Sequence, residues 1–287
     1  MTKSATITGA AKLAGIMGWP VAHSRSPALH GYWLKEHNID GAYVPMAVKP
    51  EDLRRALQAL PVLGFRGCNL TIPHKEEALR AVDEYDASAK RAGGVNTVVI
   101  NDKGRIIGSS SDGFGFLAAL RAAVSGFSAA AGPAVVLGAG GAARAVVAAL
   151  LDAGAPEVRL VNRTPERAAK LAKELGGQVH GIAWDTRDKA LAGASLLVNA
   201  TSLGMEGQPA LELPLDLLPR EAVVNDIVYV PLETPLLAAA RARGNACVDG
   251  LGMLLHQAQP GFAAWFGVTP AVTPGLRDAV LATLSPQ

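Results

Sequence analysis

Cysteine is scarce: this 287-residue chain has two, Cys68 and Cys247, both in apolar surroundings. A disulfide framework needs more thiols, and two isolated ones lack metal-ligand spacing, so a stapled secreted scaffold is excluded and no metal site is expected. An excess of one charge is also missing. Lys and Arg number 27 against 25 Asp and Glu, a formal net charge of +2, so no global field draws the chain to nucleic acid or a membrane surface. Long apolar runs are absent as well. The most apolar region, residues 114–151, is broken by Arg121, Gly132, Pro133 and Arg144 and cannot span a bilayer. The first eleven residues are polar and small, with no apolar core of signal-peptide length. No repeat or low-complexity tract occurs. The expectation is a reducing, cytoplasmic setting. With 49% hydrophobic residues, the chain can build two domains of ordinary size.

The stretch Val135-Val136-Leu137-Gly138-Ala139-Gly140-Gly141-Ala142-Ala143-Arg144 organises the rest. A β-branched run, a glycine turn and an alanine-rich amphipathic run predict a strand, a tight turn and a helix N-terminus. Gly138 permits the turn, and Gly140 lacks a Cβ where a pyrophosphate would approach the backbone. The helix start offers unpaired N–H groups and partial positive charge. Glycines of this kind also end strands in proteins that bind nothing.

In chain order, residues 12–18 read as a strand, and Ser26-Pro27 as the N-cap and first turn of a helix to about His37. Ser24 and Ser26 thus have a capping and turn role open to them. A strand at 42–48, a helix at 50–60 and a strand at 65–72 follow. Pro73 ends that strand and can begin a helix, leaving Thr71 and Lys75 at a strand's carboxyl end, where open α/β sheets hold ligands. A lone Lys is more often simply solvated. Residues 95–100 and 105–108 read as strands joined by a turn, with a helix from Asp112 to about Val124 that Asp112 itself can cap. A change of rhythm near residue 110 marks a domain boundary.

The strand at 157–162 ends in Asn162-Arg163-Thr164-Pro165-Glu166-Arg167. An NAD site usually carries Asp or Glu here for the ribose hydroxyls. Two guanidiniums and a hydroxyl instead suit a 2′-phosphate, and cations at a helix N-terminus otherwise oppose its dipole. Further strands are read at 195–200 and 223–229, and a helix at 235–243. Two helices, from Gly250 and at 270–284, close the chain without an intervening strand. By residue type alone, Tyr229 and Met205 are packing residues and Gln257 an exposed helical one.

Taken together and in order, these segments resemble the shikimate dehydrogenase family over nearly the whole chain. The motifs are the Ser24/Ser26 pair, Asn69 to Lys75, Val95-Asn96-Thr97, Asp112-Gly113, Gly138 to Arg144, Asn162 to Arg167, Asn199 to Met205, Tyr229 with Pro231, and Gly250 to Gln257. The resemblance implies reversible NADPH-dependent reduction of 3-dehydroshikimate to shikimate. It also implies an α/β fold with a cleft between an N-terminal substrate domain (1–109) and a Rossmann-like, doubly wound NADP domain (110–244), with C-terminal helices (245–287) returning to the first. Ser24, Ser26, Thr71, Lys75, Asn96, Asp112, Tyr229 and Gln257 would then meet the substrate. NADP(H) would meet Gly138, Ala139, Gly140, Gly141, Ala142, Asn162, Arg163, Thr164, Arg167, Thr201, Met205, Ile227, Gly250 and Met253. Lys75 and Asp112 are the charged residues among the matched pocket positions, which makes Lys75 the candidate proton-transfer group and Asp112 its orienting partner. Expected partners are small molecules only, with the chain a monomer or homodimer.

One departure stands out: Ser110-Ser111 precede Asp112 where the family usually has Asn-Thr. Ser111 keeps the hydroxyl, but Ser110 is shorter and offers no amide. Three competing readings differ in what they require. An enzyme of broader quinate/shikimate range that uses NAD would favour an acidic residue near 163. A glutamyl-tRNA reductase would need a nucleophilic cysteine in a tRNA-linked domain. A lapsed NADP-binding module would lack Lys75 or Asp112.

Overall fold

The computed structural model describes residues 7–284. Contacts divide the chain into two compact units, one formed by the residues up to Ser111 with those from Gln257 onward, the other Asp112–His256.

The first unit holds β1 (Lys12–Gly18), α1 (Ser26–Glu36), β2 (Gly41–Ala47), α2 (Leu53–Val62), β3 (Phe65–Leu70), α3 (Ala78–Ala81), β4 (Glu84–Tyr85), α4 (Ala87–Ala92), β5 (Thr97–Ile100) and β6 (Ile106–Ser109). They form a mixed sheet in the order β2-β1-β3-β5-β6-β4. β1 runs parallel to β2 and β3, whereas β5 pairs antiparallel with both β3 and β6. One face packs Met17, Cys68, Leu70 and Val98 against Leu53, Leu57 and Leu60 of α2. Each such buried side chain contributes roughly 1.5–3 kcal/mol. Pro61 sits inside α2, whose start is preceded by a 3-10 turn at Pro50–Asp52 rather than the continuous helix expected over 50–60.

The second unit is the plainer one. Its strands are β7 (Ala134–Leu137), β8 (Val158–Asn162), β9 (Val179–Ala183), β10 (Leu196–Asn199), β11 (Val223–Asp226) and β12 (Ala246–Val248). All pair in parallel, in the order β12-β11-β10-β7-β8-β9. That is a doubly wound Rossmann-like sheet whose switch point lies between β7 and β10. Its helices are α5 (Asp112–Ala123), α6 (Gly141–Asp152), α7 (Pro165–Leu175) and α8 (Pro235–Ala242). Successive residues of β7 feed opposite cores: Ala134 and Val136 join Val146, Val147, Leu150 and Leu171, while Val135 and Leu137 join Leu236, Leu237 and Ala240. Burial on both faces is why this strand reads as an unbroken apolar run instead of an alternating one.

The tail is α9 (Gly250–Phe266) and α10 (Pro274–Leu281). The residues from Gln257 on return to the first unit. Trp265 donates its indole N–H to the Val98 carbonyl at 2.9 Å, and Trp33 of α1 donates to Ala271 O at 2.9 Å. Phe262, Trp265 and Phe266 close an aromatic cluster with His30, Trp33 and Tyr43. No helix among the described residues is long and apolar enough to cross a membrane.

Several elements differ from expectation for local reasons. β3 stops at Leu70, and Thr71–Glu77 form turns rather than a helix beginning at Pro73. β11 ends at Asp226 instead of running to Tyr229, because the buried Asp226 side chain takes over backbone bonding by accepting from Val228 N at 3.0 Å. β4, β9 and β12 were not read at all. They are edge strands, short or partly exposed, and carry little periodic signal.

Candidate functional site

In the first unit a buried polar cluster is built on Asn96, which immediately precedes β5. Ser111 N, necessarily a donor, lies 2.9 Å from Asn96 Oδ1, so that oxygen must face it. The Thr97 hydroxyl reaches the same oxygen at 2.8 Å. Asn96 Nδ2 is thereby aimed at the Ser111 hydroxyl, 3.0 Å away, and at Gln257 Oε1, 3.3 Å away. Behind Thr97, Asn69 donates to its hydroxyl at 3.3 Å and to the Asn96 carbonyl at 3.0 Å, and accepts from the Tyr43 phenol at 2.6 Å. Asn96 and Gln257 were expected here. Tyr43, Asn69 and Thr97 were not given roles, although polar residues inside apolar strands are the signal that would have found them.

The turn after β3 carries Thr71 and Lys75. It is pinned by backbone bonds from Thr71 N to Met17 O (3.0 Å) and from Val95 N to Lys75 O (2.8 Å). The latter sets half-buried Lys75 beside the residue preceding Asn96. His74 adds a bolt: its Nε2 lies 2.8 Å from the Val48 carbonyl, which can only accept, so the proton is on Nε2. Burial lowers the proton affinity of this imidazole, and the Val48 bond opposes that. Asp112, 8% exposed, opens α5 directly after Ser111. Ser26 is not the cap of α1, as expected from sequence. The cap position is Arg25, and the Ser24 hydroxyl accepts from Ser26 N at 3.3 Å, so Ser24 performs the turn function and the buried Ser26 lies inside the helix.

The second unit holds the glycine turn at its switch point. Gly138 has φ +106°, and a Cβ there would stand 2.9 Å from the Ala200 carbonyl, so the loops after β7 and β10 touch where only glycine fits. Gly140 is different. A Cβ there meets nothing within 4 Å, and it caps α6 without any side-chain bond, leaving the helix N-terminal N–H groups for a ligand. Gly138→Ala is therefore expected to lower the melting temperature by several degrees. Gly140→Ala should leave it within about a degree yet weaken dinucleotide binding, as thermal melts and cofactor titration of the two variants will show.

At the end of β8, Asn162 Nδ2 donates to the Thr164 carbonyl at 2.9 Å and shapes the turn. Arg163 and Arg167 are exposed and make no hydrogen bond or ion pair among the described residues, and the Thr164 hydroxyl does not cap α7. Two exposed guanidiniums and a hydroxyl thus lie together at the start of α7. The remaining expected cofactor residues cluster around the loops after β10 and β11. Glu206 N bonds Val230 O (2.8 Å), which ties the loop after β10 to the loop after β11, and Gly250 N bonds Val228 O (3.2 Å). The Thr201 hydroxyl donates to Asn199 Oδ1 at 2.7 Å and accepts from Leu203 N at 3.1 Å, and Thr201 N donates to the same Asn199 oxygen at 3.1 Å, so both donors of this residue are already committed. Among the described residues, no group of three or more His, Cys, Asp or Glu side chains is placed to hold a metal.

A doubly wound sheet with a glycine turn at its switch point, two exposed arginines after β8 and a separate buried polar cluster near a lysine fit a pyridine-nucleotide oxidoreductase of two α/β units. Residues 16–98 match the model of the shikimate dehydrogenase substrate binding domain, and residues 122–205 that of shikimate / quinate 5-dehydrogenase. Over 96% of its length the chain is 58% identical to the NADP(+) shikimate dehydrogenase of Paramagnetospirillum magneticum, covering 100% of it. It is 59% identical to that of Rhodospirillum rubrum, covering 96% of this chain and 99% of the relative. Among solved structures, Thermus thermophilus shikimate 5-dehydrogenase in complex with NADP(H) and shikimate superposes with a TM-score of 0.84 at 41% identity, covering 94% of this chain and 99% of the other. The quinate dehydrogenase of Corynebacterium glutamicum in complex with NAD superposes at 0.88 and 32% identity, covering 95% and 99%. The chain belongs to the shikimate dehydrogenase family.

Proposed function

We propose that this protein catalyses the reversible NADPH-dependent reduction of 3-dehydroshikimate to shikimate in the cytoplasm, with the unit built on Asn96 taking the substrate and the unit built on Gly138 taking the cofactor. The observation that carries this reading is the locked Asn96–Gln257 amide pair next to the Lys75 turn. A ring bearing a carboxylate and several hydroxyls needs many fixed donors and acceptors, and Ser24, Ser26, Thr71, Asn96 and Gln257 can supply them. Such a pocket rejects analogues lacking a hydroxyl, because its buried polar groups would be left unpaired.

Bound NADPH supplies the hydride. The chain supplies the proton: Lys75 gives one to the substrate carbonyl oxygen as that oxygen becomes an alcohol, and takes it back in the reverse direction. Asp112 orients Lys75 and balances its charge. Arg163, Arg167 and Thr164 fit the 2′-phosphate, the α6 N-terminus fits the pyrophosphate, and Met205, Ile227, Gly250 and Met253 would border the nicotinamide.

The partnerless guanidiniums favour NADP over NAD. Arg163→Ala is expected to raise the Michaelis constant for NADPH roughly tenfold, the share of one charge-assisted bond, with turnover retained. The constant for NADH should not move. A wild-type enzyme that used NADH as well as NADPH would refute the phosphate assignment. The reaction itself is tested by following NADPH absorbance with shikimate or quinate and NADP or NAD supplied. Activity confined to quinate with NAD would favour the broader relative.

A further inference from the structure

Asp226 is 0% exposed, at the carboxyl end of β11, and no motif reading gave it a role. Both carboxylate oxygens are occupied from three segments. Oδ1 accepts from Asn199 Nδ2, at the end of β10, and from Val228 N, each at 3.0 Å. Oδ2 accepts from the Thr234 hydroxyl, the N-cap of α8, at 2.7 Å. No ion pair with it occurs among the described residues. An ionised carboxylate only accepts, so Asn199 is forced to offer its Nδ2. That leaves Asn199 Oδ1 to take both the N–H (3.1 Å) and the O–H (2.7 Å) of Thr201, while Nδ2 also reaches Leu203 O at 3.0 Å. The direction of one buried acceptor thus sets the conformation of the loop after β10. The loop after β11 is tied to the same point through Val228 N and through Ile227 N on Asn199 O (3.1 Å). Gly250 closes on it: a Cβ there would lie 2.1 Å from the Ile227 carbonyl.

We propose that Asp226 is a positioning residue for the cofactor: it holds the Thr201–Met205 and Ile227–Tyr229 loops in the shape that receives the nicotinamide end of NADP(H). It touches neither cofactor nor substrate and acts through Asn199, Val228 and Thr234. The inference rests on the cofactor assignment proposed above. Burial pushes the Asp226 carboxyl up from its ordinary range, against the bonds from Thr234, Val228 and Asn199. A desolvated carboxylate kept at the carboxyl end of an inner strand is costly for packing alone.

The test compares Asp226→Ala with Asp226→Asn. The amide keeps an oxygen for Asn199 and Val228 and reverses only the bond to Thr234, so it should restore what alanine loses. Direct NADPH titration by fluorescence, shikimate titration and thermal melts are measured on each variant. Asp226→Ala is expected to weaken NADPH binding at least tenfold and leave shikimate binding within twofold, with Asp226→Asn within threefold of wild type for both. NADPH binding unchanged in folded Asp226→Ala, or both ligands weakened alike, overturns the proposal. If Asp226→Ala does not fold, Thr234→Val decides: it removes one of the three bonds and should weaken NADPH alone by about threefold, and no change overturns the proposal. Wild-type protein that fails to bind NADPH at all would instead overturn the cofactor assignment.

Discussion

Lys75→Ala is expected to lower turnover by about 10²–10⁴-fold, the usual loss when a positioned acid–base group is removed. The turn that carries Lys75 is held by backbone bonds and by His74, not by the lysine side chain packing in the core, so the variant should melt within a few degrees of wild type. Shikimate binding should weaken far less than turnover falls, because Asn96 is held by Ser111 N and the Thr97 hydroxyl and in turn meets Gln257. Lys75→Arg sharpens the measurement. It keeps the positive charge on a group that does not release its proton. If Lys75 only balanced charge, arginine would recover most of the rate. Recovery to near wild-type turnover by either variant would show that the proton is handled elsewhere.

The second large effect is on stability and involves no ligand. His30 is wholly buried, its ring stacked on Tyr43 at 3.9 Å between centroids, and neither ring nitrogen has a hydrogen-bond partner. Burial lowers its pKa from 6.5 to about 3, with Asn69 opposing. The folded protein therefore binds fewer protons here than the unfolded chain. Stability is full above pH 6.5 and is lost as pH falls from 6.5 toward about 3, below which this contribution is flat. Each pH unit in that window costs about 1.4 kcal/mol. Denaturant titrations at pH 7 and 4.5 should show wild type losing roughly 2–3 kcal/mol more than His30→Leu, whose side chain does not titrate. The comparison cancels carboxylates common to both proteins, including Asp226. Equal losses in the two proteins would mean that His30 finds a way to become charged inside the fold.

How much of this was legible in the sequence follows from where the information is local. The bounds of β1 were read directly, because burial on both faces of a parallel strand leaves a continuous apolar signature. The glycine turn and the Asn162–Arg167 segment were legible because their chemistry is consecutive: the turn, the helix start and the guanidiniums lie within a few residues of each other. The Asn96 cluster was visible only in part. Asn96 and Gln257 carry recognisable residue types, but what orients them is a backbone N–H from Ser111 and a hydroxyl from Thr97, and pairing across 15 or 161 positions leaves no periodic trace. The reading of Ser26 as a cap failed because a serine before proline looks the same whether its own side chain or its neighbour's closes the turn. Asp226 was hidden for a similar reason. An acidic residue at the end of an apolar run looks like the edge of a strand, and only the fold shows that three loops converge on it.

The two cysteines give the molecule a pair of built-in clocks. Cys68 lies on β3, inside the first sheet and fully buried, and burial pushes its thiol far up from the ordinary range. Cys247 lies on β12, at the rim of the second sheet, half-buried and less strongly perturbed. A thiol reagent reaching Cys247 reports the fraying of one edge, whereas reaching Cys68 requires opening the interior of the other unit. Each unit thus carries one native reporter of its own breathing, and the rates at which the pair is labelled separate local opening from global loss of structure without a single engineered residue.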